Sequence, residues 1–174
     1  MASKEEKLQS RAVVPGTFDP ITVGHIEVIK RVLKVFDEVI VGVAESPRKG
    51  NGPMFSLDRR IELASEALKD YKNVKVIPFT GLLVDFVKEC NARVIVKGLR
   101  AVTDFEAEFQ MSALNYRLDP DLEILFIMST PENMYLSSSV VKEIAYHKGN
   151  VYGLVPEPVG RALCEFTGCE YTEE

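Results

Sequence analysis

Short apolar runs rich in Val and Ile alternate along this chain with longer stretches whose apolar positions recur every three to four residues. The runs fall at Arg11–Val14, Glu38–Ala44, Asn73–Ile77, Arg93–Val96 and Glu123–Met128. Several are near-continuous, as in parallel strands buried on both faces. Between them lie helical periods at Gly24–Phe36, Ser56–Asp70, Leu82–Cys90, Asp104–Arg117 and Ser138–His147. A last one, Pro158–Phe166, is expected to pack on the body of the domain. In the first helical period Ile29, Val32, Leu33 and Phe36 form one stripe, and Glu27, Lys30, Arg31 and Lys34 face away from it.

Five rounds of strand and helix with short connections predict an α/β fold, a doubly wound five-stranded parallel sheet with helices on both faces. The Rossmann-like order is 3-2-1-4-5, which places a ligand crevice beyond the carboxyl ends of the first and fourth strands. Residues 1–10 read as a flexible tail and 11–174 as one domain. Ser46–Pro53, with two Gly and two Pro, reads as a flexible loop after the second strand.

Composition narrows the function classes. A hydrophobic share of 46% and a charged share of 27% suit an ordinary globular domain. Asp and Glu outnumber Lys and Arg by 26 to 21, a net charge of −5, which disfavours nucleic-acid and polybasic membrane binding. No apolar run approaches the length of a membrane span. The charged start Met1–Lys7 lacks the apolar core of a signal peptide, and three cysteines suit a reducing cytoplasm. Cys164 and Cys169 have no second pair nearby and read as packing residues.

The chemistry concentrates in Gly16-Thr17-Phe18-Asp19-Pro20-Ile21-Thr22-Val23-Gly24-His25. A strand that ends in a glycine turn and feeds a helix presents backbone N–H groups and a positive helix end to an anion. Thr22 is the predicted N-cap, which puts His25 at the third helical position. The spacing is neither G-x-G-x-x-G nor G-x-x-x-x-G-K-[ST], so a dinucleotide dehydrogenase and a P-loop ATPase are disfavoured. At the end of the fourth strand Lys97-Gly98-Leu99-Arg100 brings two cations to the opposite side of the same crevice. Ser137-Ser138-Ser139 opens the fifth helical period and offers hydroxyls and helix N–H groups to another phosphate oxygen. Lys49, on the flexible loop, is placed to swing over a bound phosphate.

Taken singly, each has a plainer reading. His25 fits a capping or surface histidine, Lys49 a surface lysine, Lys97–Arg100 a solvated basic loop, and the serines a helix cap. Asp104, Glu106 and Glu108 read as carboxylates at the positive end of a helix. No Asp is placed to orient His25 in a Ser/His/Asp triad.

As an ordered set, Pro15–Pro20, Thr22–His25, Lys97–Arg100, Asp104-Phe105-Glu106 and Ser137–Ser139 resemble the bacterial phosphopantetheine adenylyltransferases. That family belongs to the nucleotidyltransferases marked by an H/T-x-G-H signature. The resemblance runs from about Arg11 to about Phe166. It implies adenylyl transfer from ATP to 4′-phosphopantetheine, giving dephospho-coenzyme A and pyrophosphate, with Mg²⁺. Since the sequence shows no carboxylate cluster of metal-binding spacing, that ion is expected to be held mostly by ATP oxygens and water. The resemblance has further implications for the site. It implies that Thr17, the Phe18 backbone and His25 contact ATP phosphates. Gly98, Leu99, Arg100 and Glu108 would line the ATP site, and Asn133, Met134, Tyr135, Leu136, Ser137, Ser138 and Ser139 would close over it. Thr17, Lys49, Leu83 and Lys97 would hold the pantetheine substrate, with His25, Lys49 and Arg100 acting in catalysis. A cytoplasmic homohexamer is implied as well. Many relatives carry Arg where this chain has Lys97, and an aromatic where it has Ala107.

Two other functions fit the same crevice. One is nucleotidyl transfer to another acceptor, an alcohol phosphate or nicotinamide mononucleotide, against which the serine run argues. The other is a regulatory module that binds nucleotide without turnover.

Overall fold

The computed structural model describes residues 10–45, 52–100 and 102–173. Lys49 and residues 1–9 of the expected tail lie outside them. Five parallel strands form one sheet: β1 (Arg11–Gly16), β2 (Glu38–Ala44), β3 (Val74–Phe79), β4 (Val94–Leu99) and β5 (Glu123–Met128). Their spatial order is β3-β2-β1-β4-β5, the common doubly wound order expected above. The helices are α1 (Val23–Val32), α2 (Leu57–Ala67), α3 (Leu83–Glu89), α4 (Val102–Leu118), α5 (Ser138–Tyr146) and α6 (Glu157–Thr167).

Successive strand residues face opposite sides, so one sheet serves two cores. Ala12, Val14, Val39, Val41 and Val43 enter the larger core, together with Ile29 of α1, Leu63 of α2, Val141 of α5 and Leu163 of α6. Val13, Ile40 and Ile95 enter the smaller one with Val84, Phe86 and Val87 of α3. The central strands are largely buried on both faces, which is why they read as apolar runs without alternation, whereas the edge strands β3 and β5 stay partly exposed.

Three strands run farther than their apolar runs: β1 to Gly16, β3 to Phe79 and β4 to Leu99. Pro15, Pro78 and Gly98 read as breakers, yet the sheet accommodates them. Pro78 lies on the edge strand β3, and Pro15 lies beyond the last β1–β4 pair, so the missing N–H is tolerated. Ser10 is not loose: its carbonyl accepts from Asp37 and Glu38, and its N–H donates to the Asp37 carboxylate at 2.8 Å.

One departure from regular pairing positions the site. β1 pairs with β2 along its whole length, from Arg11↔Glu38 to Gly16↔Val43, and β4 pairs with β5 out to Leu99↔Met128. Between β1 and β4 the pairs are only Ala12↔Val94 and Val13↔Ile95. Beyond Val13 the two central strands part.

Candidate active site

The gap between β1 and β4 opens into a cavity of about 490 Å³. Gly16, Thr17, Phe18 and His25 line it from the first strand and loop, and Lys97, Gly98 and Arg100 from the fourth strand's end. Leu83, Glu108, Asn133, Leu136, Ser137, Ser138 and Ser139 also face it. Imidazole and guanidinium thus meet in one pocket at the reversal of strand order, as predicted. Leu99, Met134 and Tyr135 are not among the lining residues: Leu99 is buried and Tyr135 is 81% exposed.

The His25 loop is held closely. Thr22 caps α1, and its hydroxyl accepts weakly from the His25 N–H at 3.4 Å. In return the Nδ1 of His25 accepts from the Thr22 N–H at 3.0 Å, a capping box in which His takes the usual place of Glu or Gln. Phe18 adopts a positive φ of 48°, a conformation that costs a non-glycine residue on the order of 1 kcal/mol. Its buried ring packs edge-on against the imidazole, with centroids 5.1 Å apart. Desolvation first, and the Arg100 charge second, lower the His25 pKa from 6.5 to about 4. At neutral pH the ring is therefore uncharged.

Across the cavity, Gly98 lets β4 lie close to α1, since a Cβ there would come within 3.0 Å of Val28. Arg100 donates to the Leu136 carbonyl at 3.3 Å, which ties the strand end to the segment before α5. Lys97 meets Glu108 at 3.0 Å. Glu108 is the seventh residue of α4 and lies on the cavity wall, so the helix-start reading of this carboxylate is corrected. The three serines divide their duties. Ser137 caps α5 by accepting from the Val140 N–H at 3.1 Å, and Ser138 donates to the Pro20 carbonyl at 2.8 Å. Ser139 lines the cavity.

Three charged residues that hold this arrangement carry no assigned role in the sequence reading. Arg60 is 1% exposed and donates to four backbone carbonyls: Thr17 at 2.6 Å, Ala44 at 2.7 Å, Glu45 at 3.1 Å and Phe55 at 3.2 Å. It joins the ends of β1 and β2 to the segment leading into α2. Asp19 is also buried and accepts from the N–H groups of Met54 and Phe55 at 2.8 and 2.9 Å, and from Lys142 of α5 at 2.7 Å. A signal for Arg60 was present: Leu57, Arg60, Ile61, Ala64 and Leu68 share helical spacing, which puts a cation on the inward stripe.

Two recesses adjoin the cavity. One of about 580 Å³ shares Thr17 and Ser138 with it and adds Asp19 and Lys142. The other, about 680 Å³, shares Leu83, Lys97 and Glu108 and is walled by Leu82, Met111, Leu114 and Leu118. Among the described residues no group of three or more His, Cys, Asp or Glu could hold a metal ion. Asp19, the most buried carboxylate here, already has both oxygens engaged.

Known proteins share these features. Residues 13–144 match the family model described as cytidylyltransferase-like. The phosphopantetheine adenylyltransferase of Clostridium tetani is 50% identical over 154 residues, 88% of this chain and 95% of that protein. That of Clostridium kluyveri is 53% identical over 150 residues, 86% and 90% respectively. Among solved structures, a bifunctional NMN adenylyltransferase/ADP ribose pyrophosphatase from Francisella tularensis superposes with a TM-score of 0.64 at 15% identity. It covers 94% of this chain and 51% of that one, and shows the fold alone. A lipopolysaccharide core biosynthesis protein from Thermoplasma volcanium gives a TM-score of 0.51 at 25% identity, over 70% of this chain and 97% of that one. With about half of the aligned residues identical over most of its length, this chain belongs to the phosphopantetheine adenylyltransferases of the cytidylyltransferase-like family.

Proposed function

We propose that this protein transfers the adenylyl group of ATP to 4′-phosphopantetheine, releasing pyrophosphate and forming dephospho-coenzyme A. The observation that carries this reading is the shared cavity where β1 and β4 part, with His25 and Arg100 on its two sides. The acceptor phosphate attacks the α-phosphorus in line, and pyrophosphate leaves from the opposite side. A phosphate nucleophile is already anionic, so no general base is needed. Catalysis rests on position and on stabilising charge as the transition state forms. In this reading His25 and Arg100 face the α-phosphoryl oxygens, the amino end of α5 faces the departing phosphates, and Lys97 and Lys49 hold the acceptor. No covalent enzyme intermediate forms.

The apolar recess beside Lys97 favours this acceptor over a nucleotide. Leu82, Leu83, Met111, Leu114 and Leu118 suit a long, weakly polar arm attached to a phosphate. Glu108 pairs with Lys97 on the cavity wall, and an acceptor phosphate would compete with this carboxylate for the ammonium. Mg²⁺ would accompany ATP and offset the charge of its phosphates, and among the described residues no cluster of carboxylates is built to hold it. We assign the protein to the cytoplasm, and no helix among the described residues is long and apolar enough to cross a membrane. A homohexamer is the assembly that the family resemblance implies. The exposed Phe105, Phe109 and Tyr116 of α4, which lie outside the apolar recess, support self-association.

The test is pyrophosphate release from ATP and Mg²⁺ with phosphopantetheine, nicotinamide mononucleotide or an alcohol phosphate as acceptor. Release with phosphopantetheine alone is expected, and His25→Ala should lower kcat by on the order of 10². Binding of ATP that raises thermal stability without release would replace the enzyme reading by the regulatory one.

A further inference from the structure

We propose that Thr22 is a positioning residue that fixes the tautomer of His25, so that the imidazole works as a neutral donor through Nε2–H. The donor's target, the transferred phosphoryl group, rests on the reaction proposed above. The tautomer itself rests on geometry alone.

The main-chain N–H of Thr22 can only donate, and it lies 3.0 Å from Nδ1 of His25. Nδ1 must therefore carry its lone pair. An imidazolium has N–H on both nitrogens, so it would set two hydrogens against each other at this contact. The same contact excludes the neutral Nδ1–H form. The single ring proton is left on Nε2, at the other edge of the ring. The Thr22 hydroxyl, 2.9 Å from Nδ1, engages the same ring edge while it caps the helix, and Thr22 is 1% exposed. Phe18 packs against the imidazole and limits its rotation.

The surrounding cations act in the same direction, and the carboxylate facing the cavity, Glu108 of α4, is paired with Lys97. Arg100 and Lys97 at the end of β4 face the cavity. The amino end of α1 is itself positive. Burial and the Arg100 charge lower the imidazole pKa to about 4. Arg100 thus brings the formal charge, and His25 brings a directed hydrogen bond that keeps its proton throughout. This division suits an anionic nucleophile, from which no proton has to be taken.

The chain has two histidines, so ¹⁵N-histidine NMR can follow His25 directly once His147→Gln has assigned the spectrum. The expected result is an unprotonated Nδ1 and a protonated Nε2, unchanged from pH 8 to below pH 5. An Nδ1–H tautomer or an imidazolium at pH 7 would overturn the proposal, whatever the enzyme turns over. The correct tautomer without pyrophosphate release would leave the proposal standing and remove only the reaction. For the role of Thr22, Thr22→Ser retains both contacts and should keep kcat, whereas Thr22→Val removes the hydroxyl. The Val variant should lose on the order of tenfold in kcat with little change in the KM for ATP. It should also move the acid limb of the kcat profile upward. A Val variant with an unmoved profile would strip Thr22 of this role.

Discussion

The two ends of the sheet use charge in different ways. At the amino ends of the strands, charges answer one another. The Glu38 carboxylate accepts from Arg11 and from Lys75, the latter at 2.5 Å, and Arg11 also donates to the Cys90 carbonyl at 2.7 Å. At the carboxyl ends, the buried charges go largely to the main chain. Arg60 holds four carbonyls and Asp19 holds two N–H groups, and between them they fix the loops after β1 and β2. The first arrangement closes an edge. The second builds a rigid frame, on which His25, Lys97 and Arg100 are presented to a cavity. Buried charge at this end serves position, and the difference explains why ligand chemistry gathers here.

The largest effect that would test this contrast is expected from Arg60→Met. It leaves the carbonyls of Thr17, Ala44, Glu45 and Phe55 without their shared donor and should cost about 3–5 kcal/mol in denaturant unfolding. A loss below about 1 kcal/mol would mean that the frame does not depend on this guanidinium.

Acid should separate the two ends by pH window. The His25 pKa in the folded protein is lowered to about 4, so the unfolded chain takes up the proton more readily. Its contribution is complete above about pH 6.5 and is lost as pH falls towards 4, amounting to at most about 3 kcal/mol. Thermal unfolding across that window should show the slope, and His25→Gln should flatten it. At the other end, burial alone would raise the Glu38 carboxyl, but hydrogen bonds from Lys75 and Arg11 outweigh it and hold the pKa below 4.5. That contribution is present above pH 4.5 and is lost only as pH falls further. The smallest effect is expected from Glu38→Gln, about 1 kcal/mol with no change in either KM, because both of its cations reach water. A changed KM would join the two ends functionally.

Much of this was legible in the residues. Val39, Val41 and Val43 on one core and Ile40 on the other show why a strand covered twice must be apolar throughout. Right-handed crossovers restricted the topology to a doubly wound sheet, whose common order 3-2-1-4-5 is the one observed, and the Thr22 cap with His25 three residues on was readable from local rules. Arg60 was missed because a charged residue is normally assigned to solvent, although its helical phase pointed inward. The meeting of Lys97 with Glu108 depends on where α4 crosses the end of β4, which neither segment states by itself.

Local pattern determined the elements, their order, the capped turn and the residue types able to meet phosphate, because short-range sterics and hydrophobic period act along the chain. Tertiary structure alone decided that β1 and β4 part after Val13, that Arg60 and Asp19 turn inward to the main chain, and that imidazole and guanidinium share one cavity. Those outcomes come from how sheet and helices pack together, which brings into contact groups that are far apart in sequence.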